Sequence, residues 1–176
     1  MKRLFPILIA LILGACGPTP SPIPSPSNLP SPSQSPSPVA GCVLPNTSNS
    51  HVYNPDRLVV LDPANPCRSV TGTIDFIRHE PDGDYHIGLK LDSQYANLVN
   101  SCNATCAGGA EHGDLVVEPV CVLPVTQSDA ISACTGYHNP IVIPAVGSHV
   151  EMFGAWVNDT LHGWTELHPL SEVHVE

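Results

Sequence analysis

From residue 57 onward, apolar and polar residues alternate in short runs, each cut off by turn-forming residues. A period of two sends successive side chains to opposite faces of a strand. Residues 57–61 are a short β-rich run stopped by Asp62-Pro63. Residues 69–78 predict the first long strand, with Val70, Ile74 and Phe76 on one face. Gly72 in its middle marks a bend or bulge. Glu80-Pro81-Asp82-Gly83 predicts a turn. The next strand, 84–91, alternates cleanly, with Tyr85, Ile87, Leu89 and Leu91 inward and Asp84, His86 and Lys90 outward. Residues 115–122, 149–157 and 161–168 predict three more strands, the last two joined through Asn158-Asp159. Within 92–103, Tyr95, Leu98 and Val99 fall at helical spacing, which predicts one short helix. Residues 123–148 read as a long loop, and loops of such length are often functional.

Five strands, one helical insert and no βαβ rhythm predict an all-β domain: a five-stranded OB-like barrel. An open β-sandwich is the runner-up, because strand count alone does not dictate closure. In an OB-type barrel two connections flank the usual binding face, and here they are 79–83 and 158–161.

Ahead of this domain the pattern changes twice. Met1-Lys2-Arg3 is a basic start, followed by an apolar run from Leu4 to Leu13 and then Gly14-Ala15-Cys16. That order describes an export signal, and the run is far short of the roughly 20 apolar residues a membrane-spanning helix needs. Leu13-Gly14-Ala15-Cys16 resembles the lipobox of bacterial lipoproteins. The resemblance implies cleavage after residue 15, lipid on Cys16, and attachment to the cell membrane or outer membrane. The alternative is an ordinary cleaved signal with an incidental cysteine. Residues 16–40 are then mostly Pro and Ser, too poor in apolar side chains to offset ordering entropy. They read as a tether, which at about 3.1 Å per residue in the extended polyproline form reaches roughly 70 Å. The expected organisation is a signal at 1–15, a lipid-anchored tether at 16–40 and the barrel domain at 41–176.

Charge and cysteines narrow the partners. Without the signal, Arg57, Arg68, Arg78 and Lys90 face sixteen Asp and Glu, a charge of −12 with His neutral. Nucleic acids and anionic lipid surfaces draw on Lys and Arg for affinity, so both are disfavoured. Beyond Cys16 there are six cysteines, an even count that reads as three disulfides in an exported small domain. The expected pairs are Cys42–Cys67, Cys102–Cys106 and Cys121–Cys134. The rival is zinc, since Cys102-x3-Cys106 followed by His112 has ligand-like spacing.

Val70-Thr71-Gly72-Thr73-Ile74, Asp82-Gly83-Asp84-Tyr85-His86-Ile87 and the stretch from His162 to Pro169 together resemble a group of uncharacterised exported prokaryotic proteins. The likeness covers most of 52–174. It implies a small, OB-like β domain and carries over no catalytic residue.

The densest chemistry lies in His162-Gly163-Trp164-Thr165-Glu166-Leu167-His168-Pro169. On a strand, His162, Trp164, Glu166 and His168 would share the outward face. Barrel closure would bring Asp84, His86, Asp114 and Glu118 near them. Imidazole plus carboxylate is a ligand set for Zn²⁺ or Cu²⁺, so Asp84, His86, His162, Glu166 and His168 are candidate metal ligands. Trp164, Asp114 and Glu118 complete a candidate ligand face. The simpler alternative is a solvated polar surface on which some of nine histidines meet carboxylates by chance. There is no Gly-x-Ser-x-Gly elbow and no phosphate-binding glycine loop. Two expectations follow, and they leave open whether the protein is an enzyme. One is an envelope binding module that meets a protein, glycan or peptide. The other is a divalent-metal protein, up to a metallohydrolase.

Overall fold

The computed structural model describes residues 41–176. The expected signal, the tether and Cys16 lie outside the described residues. Six strands form: β1 (Leu58–Val60), β2 (Cys67–His79), β3 (Tyr85–Leu91), β4 (Leu115–Val117), β5 (His149–Asp159) and β6 (Thr165–Val175). Strand order is β1-β5-β2-β3-β4-β6, and β5 also pairs with β6. That last pairing closes β2 to β6 into a five-stranded barrel, with β1 added to the outer edge of β5. All neighbouring pairs are antiparallel except β4–β6. The OB-like barrel expected from the pattern is the fold observed.

Inward positions follow the period of two. Ile87 and Leu89 of β3, Leu115 and Val117 of β4, Val150 and Met152 of β5 and Leu167 of β6 fill the interior. Fully burying side chains of this size stabilises by ~1.5–3 kcal/mol each. Gly72 is needed for close approach, since a Cβ there would meet the Lys90 carbonyl across the β2–β3 pair. The bulge lies three residues later. Register passes from Ile74↔Leu89 directly to Phe76↔Gly88, which leaves Asp75 unpaired. The bulge flips the pattern, so Phe76 lies outside the barrel against Gly88, and Ile77 takes the inward place. This corrects the expectation that Phe76 shares a face with Val70 and Ile74.

Other boundaries moved as well: the strand expected over 115–122 ends at Val117, and the last two strands run on to Asp159 and Val175. The expected helix is split into a 3-10 turn at Ser93–Leu98 and α1 at Ser101–Thr105. Asn100 breaks it because extended backbone there lets its side chain cap α1, with Asn103 reciprocating. Tyr95, Leu98 and Val99 still pack on the barrel core. The last strand starts at Thr165 and not at 161, because residues 160–164 form a turn. Gly163 there has φ +88°, and the Asp159 carboxylate accepts from the Leu161 and His162 amides.

A second core lies outside the barrel. Ala155 and Val157 on the outer face of β5 pack with Val52, Leu58, Val120 and Cys121. The three expected cysteine pairs lie at bonding distance, with Cα–Cα separations of 6.2 Å (Cys42–Cys67), 4.7 Å (Cys102–Cys106) and 5.5 Å (Cys121–Cys134). The Cys42–Cys67 bridge joins the segment entering the barrel to the start of β2, and the Cys121–Cys134 bridge pins the long loop, with its single helical turn α2 (Ile131–Cys134), at this outer core. Cys102 and Cys106 therefore do not serve as zinc ligands, and His112 turns instead toward Asp75.

Candidate functional site

The outer faces of β3, β4 and β6 carry what the pattern placed there. Ile87↔Val117↔Leu167 is an inward row, so the residues beside it point out: His86, Glu118 just past β4, then Glu166 and His168. Backbone bonds on both sides of Glu118 fix its place, its amide donating to the Leu167 carbonyl at 3.0 Å and its carbonyl accepting from Leu170 at 2.9 Å.

Outward is not exposed, however. Glu166 is 0% and His168 1% exposed, and Asp84, His86 and Glu118 are buried as well. The simpler alternative, a solvated polar face, does not hold: the structure has a buried network. The Glu118 carboxylate lies at its centre, accepting from His86 Nδ1 at 2.7 Å through one oxygen and from His168 Nδ1 at 2.8 Å through the other. His86 Nε2 donates to Glu111 at 2.7 Å, and the other Glu111 oxygen takes Arg78 at 2.9 Å. His168 Nδ1 also reaches Glu166 at 3.1 Å, whose second oxygen accepts from Trp164 Nε1 at 3.0 Å. Cation and carboxylate thus alternate from Arg78 to Glu166.

Burial and pairing compete for each proton. Burial disfavours an imidazolium at His86, but its bonds to Glu111 and Glu118 outweigh that and raise its pKa to about 10. The pKa of His168 is likewise raised well above the usual histidine range, burial being overcome chiefly by Glu118. Glu118 moves the other way: burial would raise it, yet His168 and His86 hold it below the usual carboxylate range. Glu111 is lowered too, His86 and Arg78 overcoming burial. Among the described residues the Asp84 carboxylate accepts only the Cys121 amide, at 2.7 Å, and burial drives its pKa up to about 8.

A cleft of about 300 Å³ opens onto this network. Glu80 and Asp82 from the β2–β3 connection line one part of it, His162 and Trp164 from the β5–β6 turn another, with Arg57 and Arg78 supplying positive charge. The His162 ring stacks on Trp164 at 4.4 Å, and its Nδ1 is held by Asp159 at 2.8 Å. Arg57 reaches the same Asp159 oxygen at 3.3 Å.

Of the eight expected site residues, Asp84, His86, Glu118, His162, Trp164, Glu166 and His168 come together here. Asp114 does not: it groups with Asp75 and His112. There, burial and the nearby Asp75 charge raise its pKa to about 6. Residues the pattern missed are Arg78, Glu111, Arg57 and Asp159. Arg78 was readable, since it pairs with His86 across the β2–β3 hairpin. Glu111 lies in a turn between α1 and β4, where no periodicity guides the eye. No family model, curated protein or solved structure matches the chain.

Proposed function

We propose that the chain is a cell-envelope lipoprotein, anchored at Cys16 and set off by its Pro/Ser tether, that presents the barrel as a non-enzymatic saccharide-binding module. One observation carries the reading: the cleft is bounded by both connections that flank the ligand face of an OB-type barrel. Such faces take oligonucleotides or oligosaccharides. A charge of −12 beyond the signal opposes the first. The second fits the lining. Carboxylates and guanidinium groups offer paired acceptors and donors to vicinal hydroxyls, and the stacked His162–Trp164 pair gives a flat wall for a sugar ring. Apart from His168 Nε2, the network behind the cleft is internally satisfied, which suits a rigid binding wall better than a reacting centre.

The test is a titration of the tag-free full-length chain with neutral N-acetylated and plain oligosaccharides, followed by tryptophan emission and by amide protection around the cleft. Binding by at least one sugar, weakened in His162→Ala, is the expected result. Silence across the panel would defeat the reading.

A second reading has its own support. Asp84, Glu118 and His168 each offer a ligand atom within 4.8 Å of the others, and His168 Nε2 is buried without a partner. An imidazole whose Nδ1 is held by carboxylates takes the posture of a metal ligand once an ion displaces its Nε2 proton. His86, by contrast, has both nitrogens engaged, and Glu166 both oxygens. Both Glu118 oxygens are engaged as well, so an ion here would have to displace one of its imidazole bonds; the donor set that proximity brings together for Zn²⁺ or Cu²⁺ on this face is Asp84, Glu118 and His168. Metal in tag-free protein by elemental analysis, lost in His168→Gln, would favour this reading over the first.

A further inference from the structure

The bulge in β2 has a chemical consequence on the other side of Phe76. Because Asp75 is left out of the β2–β3 register, its carboxylate reaches the turn that precedes β4. His112 Nδ1 meets it at 2.8 Å, with the imidazole held edge-on against the Phe76 ring at 5.3 Å. Asp114, two residues on, brings a third donor, and one ligand atom from each of the three lies within 4.8 Å of the others.

Asp75 and His112 are exposed and alone would be an ordinary surface pair. Asp114 makes the difference. It is only 6% exposed, and its Oδ2 is buried with no hydrogen-bond partner. A buried carboxylate oxygen left unpaired beside a second carboxylate is costly unless a cation or proton answers it. Lys90 lies in the same region but makes no bond to it among the described residues.

We propose that Asp75, His112 and Asp114 bind a divalent cation of the borderline class, Zn²⁺ before Mg²⁺ or Ca²⁺, and that the ion pins the 109–114 turn to the β2 bulge. One imidazole with two carboxylates suits zinc, whereas magnesium and calcium favour all-oxygen shells. Three protein donors with one side open to solvent leave a fourth position for water. The position also couples to the cleft. Glu111, the partner of Arg78 and His86, belongs to the same turn, and the Asp114 amide donates to its carbonyl at 2.8 Å. An ion here would hold Glu111 in register with the network without touching it.

The test uses the tag-free full-length chain, titrated calorimetrically with ZnCl₂ in a non-coordinating buffer. Binding that weakens by about 10-fold or more in both His112→Ala and Asp114→Asn is expected, since even outer-shell changes at metal sites cost that much. His112→Ala removes an exposed ring, so folding survives it, and a thermal melt of each variant checks this. Zinc should also slow amide exchange across 109–114 in the parent protein. His168→Gln should leave this binding intact, which separates it from the buried donor set. Zinc affinity indifferent to His112→Ala and Asp114→Asn, or no binding by millimolar zinc, would overturn the proposal.

Discussion

Histidine meets carboxylate at two depths in this molecule. His86 and His168 hold Glu118 at 2.7 and 2.8 Å out of reach of solvent, while His174 holds Glu172 at 3.4 Å and His149 holds Asp92 and Glu176 at 3.1 and 3.2 Å near water. The chemistry is the same and the solvent is not. An exposed pair is screened and gives up side-chain freedom to form. A buried pair is held by the cost of separating its members, since either one alone would be an uncompensated charge. The network under the barrel's outer face is therefore a structural commitment, and the surface pairs are incidental.

The largest expected effect comes from cutting the network at its centre. Glu118→Gln keeps the shape but removes the charge that both imidazoles share, and should cost ~3 kcal/mol or more in a urea unfolding curve with disulfides intact. A loss no greater than that of an exposed pair would erase the distinction between the two depths.

Next comes titration of the same network. A histidine whose pKa rises on folding contributes fully below its ordinary value of 6.5 and loses that contribution as pH climbs through the folded value, about 10 for His86. Asp84 adds to the decline: a carboxyl raised from 3.8 to about 8 keeps its proton in the fold, so stability falls as pH rises between those values. Glu118 and Glu111, both lowered, act on the acid side, their contribution being lost as pH falls below the ordinary 4.5. Urea midpoints across about pH 4–10 should peak on the mildly acidic side and fall steadily toward alkali. Glu118→Gln should flatten the alkaline limb. A midpoint level from neutrality upward would contradict the charged state assigned to His86.

How much of this was readable beforehand depends on which force decides each position. Alternation in Ile87, Leu89, Leu115 and Val117 fixed which side chains fill the barrel, and so also which point away from it. The depth of the outward ones was not readable. It is set by segments from distant parts of the chain, such as the turn that brings Glu111 to His86 and the Cys121 amide that meets Asp84, which no local period records. Gly72 marks a close approach and not the bulge, because the two leave the same glycine signal in a sequence. Asp75 gave no signal at all: one residue skipped in a register is visible only when both strands are paired. Asp114 was expected beside Glu118 on the ligand face, but the bulge gave it Asp75 and His112 as neighbours.

The smallest effect is the most telling for the comparison. His174 and Glu172 lie two apart on β6, on one face, as Glu166 and His168 do nearer the strand's start. Spacing, strand and residue types match, but the inner pair is buried and tied further to Glu118 and Trp164. Removing the outer pair singly and together should give a coupling of about 0–1 kcal/mol that shrinks further with added salt. The inner pair, treated the same way, should couple more strongly and barely respond to salt, because ions do not reach it. Equal couplings at the two ends of β6 would mean that neighbouring residue identity, and not depth, sets the strength of these bonds.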